Sequence, residues 1–214
     1  MTIHLKEKRS YHAGLSASDR AFDELVPSEV RHLSPTHWTP VEVAIRAASL
    51  LAPTEDLRIL DIGAGVGKLC AIGALSSSAI WVGIEQHEIL VTTARRLVRA
   101  LDVEQRTLFI HGDAFAIDWG GFDALYLYNP FALPLRPDLT FQGQQPFDDW
   151  ARANRVQDRL AVLRAGTRIV TLNGFGGVMP ASYALLYQER VPVVGADLVL
   201  WVQRRRFARP PGMS

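Results

Sequence analysis

A short apolar run at residues 58–62 breaks directly into three alternating glycines, Gly63, Gly65 and Gly67, before helical patterning resumes. Glycine supplies the positive φ angles and the close backbone approach that a sharp strand-to-helix turn requires. The helix beyond such a turn offers unpaired N–H groups and the positive end of its dipole to a ligand. A chain committed to this junction must bury a strand against a helix, and the rest of the sequence repeats the theme. Apolar runs at 80–84, 108–110, 124–128 and 167–172 alternate with stretches of helical period, the pattern of a mostly parallel sheet covered on both faces.

The helices between them have legible ends. Thr39 is the expected N-cap of a helix over 39–51, with Pro40 at the first helical position and Glu42 reaching back to complete a capping box. A second helix is expected over 66–75, and a third carries Leu90, Ala94, Leu97, Val98 and Leu101 on one face. A fourth has Trp150, Ala153, Val156, Leu160 and Leu163 as its apolar stripe and stops at Gly166. The last two apolar runs, 183–190 and 198–203, have no helix between them and read as an antiparallel pair. Residues 1–35, polar apart from Phe22, Leu25 and Val26, read as a helical extension or cap ahead of a single domain over 36–214.

Composition bounds the rest. With 214 residues, 48% of them hydrophobic, the chain can bury one sizeable core. Lys and Arg number 23 against 22 Asp and Glu, so charge makes no strong case for nucleic acid or a membrane surface. Cys70 is the only cysteine, which excludes an intramolecular disulfide, and its place in the helix after the glycines marks it as core. The six histidines lack metal-ligand spacing, and no metal site is expected. Residues 1–10 lack the apolar core of a signal peptide, and no stretch approaches the ~20 apolar residues of a membrane span. A soluble, cytoplasmic protein is expected.

In an open α/β sheet, ligands bind beyond the carboxyl ends of the strands, near the point where strand order reverses. The residues after each strand therefore carry the functional argument. Asp61 precedes the first glycine by two positions, ill placed beside a pyrophosphate but well placed beside a cation. The spacing is Gly-x-Gly-x-Gly rather than the Gly-x-Gly-x-x-Gly of dinucleotide sites. Glu85 ends the second strand about 20 residues on, where a ribose diol is held in nucleoside sites. The third strand runs into Gly112-Asp113-Ala114, where Asp113 suits an exocyclic amine or, more plainly, a turn. The fourth runs into Asn129-Pro130-Phe131, again a ligand-facing amide or a loop pair.

This ordered set resembles the class I S-adenosylmethionine (SAM)-dependent methyltransferases, across roughly residues 36–203. The resemblance implies a Rossmann-like, doubly wound, mostly parallel seven-stranded sheet with a C-terminal antiparallel hairpin and an N-terminal helical extension. It implies SAM as cofactor, with Asp61, Gly63, Ala64, Gly65 and Gly67 at its methionine end and Glu85 and Gln86 at its ribose. Asp113 and Ala114 would border the adenine. Asn129 and Pro130 would lie beside the transferred methyl, Asn129 as the candidate catalytic residue, and Trp38 and Thr39 in the segment that covers the cofactor. Asn129-Pro130-Phe131 is similar to the Asn-Pro-Pro-Tyr/Phe of enzymes that methylate amino nitrogens, but the second proline is absent, so that substrate class does not carry over. The acceptor is left unknown, a small molecule or protein being favoured over nucleic acid. Candidate bases are His37, His111, Asp113 and, as an acceptor only, Asn129. A NAD(P) oxidoreductase, a nucleic-acid N-methyltransferase and a non-catalytic SAM-binding protein are the competing readings. The basic run Arg204-Arg205-Arg206 with Arg209 reads as a solvated tail, and Gly174 to Pro180 as either a mobile gate or a plain loop.

Overall fold

The computed structural model describes residues 19–128 and 148–204. Within them the sheet has seven strands: β1 (Arg58–Ile62), β2 (Ile80–Glu85), β3 (Thr107–His111), β4 (Ala124–Tyr128), β5 (Arg168–Leu172), β6 (Tyr183–Val191) and β7 (Ala196–Gln203), in the order β3-β2-β1-β4-β5-β7-β6. The first five are parallel; β7 runs antiparallel between β5 and β6. This is the expected doubly wound sheet with its closing hairpin. The order reverses between β1 and β4, so the two strand ends that flank the switch point are Ile62 and Tyr128.

Strand periodicity explains both faces. Ile59, Trp81, Ala124, Tyr126 and Val170 point into one hydrophobic cluster, and Leu60, Val82, Leu125, Leu127 and Ile169 point into the other. The first face is covered by α4 (Val41–Leu51), α5 (Lys68–Ser76) and α6 (Glu88–Ala100). The second is covered by α7 (Asp148–Ala161). Three short helices, α1 (Asp19–Asp23), α2 (Ser28–Arg31) and α3 (Ser34–His37), lie ahead of α4, and Phe22, Val26, Val30 and Leu33 are buried in the first cluster. Among the described residues no helix is long and apolar enough to cross a membrane.

Three local readings are corrected. Thr39 does not cap α4: its hydroxyl pairs with the buried Tyr126 hydroxyl at 2.9 Å, and the Val41 N–H instead donates to Asp19 Oδ1 at 2.9 Å. A buried phenol must find a partner, and a carboxylate suits the positive end of a helix better than a neutral hydroxyl. The helix after the glycines begins at Lys68 rather than residue 66, because Gly67 holds φ at +75°, outside the helical well. Trp150 is 77% exposed while Ala153, Val156, Leu160 and Leu163 are buried. At roughly 100° per residue, Trp150 falls about 100° from the centre of that stripe.

Candidate active site

The three alternating glycines form the floor of the site. All three take positive φ, at +77°, +55° and +75° for Gly63, Gly65 and Gly67. Gly67 is doubly constrained, because a Cβ there would stand 2.6 Å from the Phe109 ring and 2.9 Å from Ala94. The turn is stitched to β2: the N–H groups of Gly63 and Ala64 both donate to the Ile84 carbonyl, at 2.9 and 3.0 Å.

Two carboxylates serve the turn in different ways. Glu85, at the end of β2, accepts the Gly65 N–H on Oε2 at 3.0 Å, and on Oε1 the His87 N–H and Nδ1 at 2.9 and 2.7 Å. Burial pushes its carboxyl up, but the hydrogen bonds from His87 and Gly65, with the charge of His87, outweigh burial and hold it below the ordinary carboxylate range. Asp61 is only 4% exposed and sits beside Tyr126 in the β1–β4 register, facing α5. Its hydrogen-bond partner is the Cys70 thiol, a weak donor, at 3.6 Å. Burial therefore dominates and, against the pull of the Cys70 bond and with help from the Glu85 charge, raises the Asp61 carboxyl to about 7. Burial, then Asp61, raises the Cys70 thiol well above its ordinary value. Cys70 is thus core, as expected, but among the described residues it is also the one hydrogen-bond donor to the buried Asp61 carboxyl.

Asp61, Gly63, Gly65, Trp38, Thr39 and Tyr126 line one small cavity at the switch point, together with His37, Lys68 and Tyr128. Trp38 and Tyr128 also wall an adjoining cleft of about 800 Å³. The covering segment expected at Trp38 and Thr39 is therefore at the cavity. Glu85 lies on the β2 side of the same turn, reached through Gly65. Asp113 caps a short 3₁₀ turn at Ala114–Ala116, its Oδ1 accepting the Phe115 N–H at 2.9 Å, as the turn reading required. Gln86 is exposed, and its carbonyl pairs with His111 Nε2 at 3.1 Å. His111 is thereby drawn to the β2–β3 side, whereas His37 lines the switch-point cavity. Burial, with the charge of His32, lowers the His37 imidazole from its ordinary value. Asn129 and Pro130 lie outside the described residues, directly after Tyr128.

Three residues escape the sequence reading. His87 fixes Glu85, and Tyr126 anchors Thr39. Lys68 is 3% exposed, and its Nζ pairs with Asp19 and Asp23 of α1 at 2.5 and 3.4 Å. The first two had only generic signals, a loop histidine and a strand tyrosine. For Lys68 the available signal is a cation in the first turn of a helix, where the dipole disfavours it.

Comparison with known proteins follows this geometry. Residues 34–129 match the family model of protein-L-isoaspartate(D-aspartate) O-methyltransferase. No curated protein sequence matches the chain. A putative O-methyltransferase from Klebsiella pneumoniae superposes with a TM-score of 0.60 at 16% identity, over 94% of this chain and 97% of that one. A SAM-dependent O-methyltransferase from Thermotoga maritima gives 0.59 at 18%, over 91% and 74%. An RNA methyltransferase from Salinibacter ruber, solved with S-adenosylhomocysteine, gives 0.57 at 21%, over 83% and 99%. At these identities the likeness is one of fold.

Proposed function

This chain has the fold of the class I SAM-dependent methyltransferases, and on that premise we propose that it is an enzyme binding SAM at the glycine turn and methylating a polar nucleophile. One observation carries the reading: a buried, weakly partnered carboxyl, Asp61, opens onto the switch-point cavity beside a helix N-terminus and the adjoining cleft. A buried acid in that state gains most from a cationic ligand group, and the amino-acid end of SAM carries an ammonium. The residues present therefore fit the cofactor.

Asp61 with the backbone of Gly63, Ala64, Gly65 and Gly67 would hold the methionine end. Glu85 and Gln86 would meet the ribose, Asp113 and Ala114 the adenine, and Trp38 with Thr39 would close over the site. Glu85 already accepts three N–H bonds, so of its roughly four lone-pair sites about one is left for a sugar hydroxyl. SAM supplies an already activated methyl group. What the protein adds is alignment of the nucleophile and exclusion of water. Asn129 would orient the acceptor, and among the described candidates His37, which lines the switch-point cavity, is the one placed to take a proton.

The acceptor, a small molecule or a protein side chain, would enter through the cleft of about 800 Å³. A net charge of +1 gives no support to a nucleic-acid acceptor. Incubating the protein with methyl-labelled SAM and a cell extract, then sorting labelled products by size and chemistry, tests the reaction. Calorimetry with SAM, S-adenosylhomocysteine and NADH tests the site. Heat with NADH alone would point to an oxidoreductase, and SAM binding without labelled product to a non-catalytic protein.

A further inference from the structure

Building on the methyltransferase reading, we propose that the acceptor bears a carboxylate or phosphate, held in the large cleft by Arg31 and Arg20. The cleft has an aromatic inner wall of Trp38 and Tyr128, shared with the switch-point cavity, and its charged rim comes from α1 and the segment through α2.

Accounting for that rim decides the sign of the ligand. Asp19 and Asp23 are both engaged by the buried ammonium of Lys68, and Asp19 also accepts the first N–H of α4. A cation docked against them would sit beside another cation. Arg31 differs. Its Nε donates to the Val26 carbonyl at 2.6 Å and its Nη2 to the Glu24 carbonyl at 3.0 Å. Both partners are neutral, so the guanidinium is held rigidly with its charge uncompensated. Two of its five N–H groups are used and three remain. A preoriented, partly buried guanidinium facing a cavity is the arrangement that takes a planar carboxylate or a phosphate through paired N–H bonds. The Arg20 side chain, exposed on the same rim, has neither a hydrogen bond nor an ion pair among the described residues. Glu24 also lines the cleft, which favours one anionic group at Arg31 over a multiply charged ligand.

The test uses the full chain saturated with S-adenosylhomocysteine and four probes of one shape: benzoate, phenyl phosphate, benzamide and benzylamine. Binding is followed by quenching of tryptophan fluorescence. At least one of the two anions should bind at least tenfold more tightly than the neutral and cationic probes, the preferred one telling carboxylate from phosphate. Arg31→Lys should weaken it at least tenfold and Arg20→Gln about threefold, with affinity for S-adenosylhomocysteine unchanged. The Arg20 side chain holds no hydrogen bond or ion pair among the described residues, so that variant remains informative if Arg31→Lys unfolds. Benzamide or benzylamine binding as well as the anions, or anion binding indifferent to Arg20→Gln and to a folded Arg31→Lys, overturns the proposal. Failure of S-adenosylhomocysteine itself to bind overturns the methyltransferase reading instead.

Discussion

Asp61 and Glu85 are both buried acids at strand ends, yet their surroundings drive them apart. Three N–H donors hold Glu85 ionised, while Asp61 has one thiol and a neighbouring negative charge. An Asp whose carboxyl is raised in the folded state keeps its proton until the pH nears 7, whereas the unfolded chain has lost it near the ordinary value. Between those points the folded state binds more protons, so this group makes the ligand-free protein less stable as pH rises toward 7. A cationic ligand reverses the preference, because it binds the ionised form. Affinity for S-adenosylhomocysteine should therefore rise with pH, by up to about tenfold per unit below pH 7, and level off above it. Asp61→Asn should bind weakly with a flat profile; calorimetry between pH 5.5 and 8.5 checks both, and a flat wild-type profile removes Asp61 from the ammonium site. Glu85→Ala should also weaken binding, by about 1.5–3 kcal/mol for a lost charge-assisted bond. The structure adds a cost in folding, since Gly65 and His87 lose their acceptor. An unchanged dissociation constant in the folded fraction would refute the ribose assignment.

At the scale of elements, the glycine turn and α1 are held by different physics. Gly67 combines a positive φ with contact on Phe109 and Ala94, whereas Gly166 has a φ of +89° and open space around its Cβ position. Gly166→Ala should cost about 1–2 kcal/mol, the left-handed strain alone. Gly67→Ala should cost more, by a further ~1–3 kcal/mol for overpacking, and denaturant melts of the two variants compare them directly. Helix α1 is held to the turn by charge. Lys68 is buried at the positive end of α5, and the Asp19 carboxylate serves both it and the N-terminus of α4. Removing one partner of a buried pair is costly, but the Asp19 side chain is 48% exposed, so solvent discounts the effect to something on the order of 2 kcal/mol. Lys68→Met and Asp19→Asn should each speed amide exchange across residues 19–33, and the double variant should cost less than the two effects added. Additive effects would mean that the contact does not hold the helix. The sequence announced the turn because glycine spacing is a local signal. It could not announce the ion pair, whose partners are separated by some fifty positions and meet only once Phe22 is buried in the core.

For the whole molecule, fold and site were legible to different depths for one reason. Alternating apolar runs and helices specify a two-faced parallel sheet through periodicity alone, and with it a site beyond the carboxyl ends of the strands, but the strand order that puts the switch point between β1 and β4 is seen only in the structure. The side chains that complete it come from a distance: Tyr126 reaches Thr39, His87 turns back on Glu85, and Trp38 and Tyr128 wall the cleft together with the β6–β7 turn. These pairings depend on which helix packs on which face, and no local pattern encodes that. They also imply that a ligand at the glycine turn meets residues far apart in sequence, from His37 to Tyr128, so its binding should stabilise the molecule as a unit. A ligand at one hundred times its dissociation constant adds about 2.7 kcal/mol to a protein that binds it only when folded. At roughly 2–4 °C per kcal/mol for a chain of this size, S-adenosylhomocysteine should raise the melting temperature by about 5–11 °C. NADH at the same concentration should give no comparable shift, because a buried carboxylate such as Asp61, lining the cavity at the glycine turn, would repel a pyrophosphate there. Amide exchange adds the spatial test: protection on S-adenosylhomocysteine binding should appear around Gly63–Gly67 and also across 38–41, since Trp38 and Thr39 line the same cavity. Protection confined to the glycine turn would mean that the covering segment takes no part in holding the cofactor.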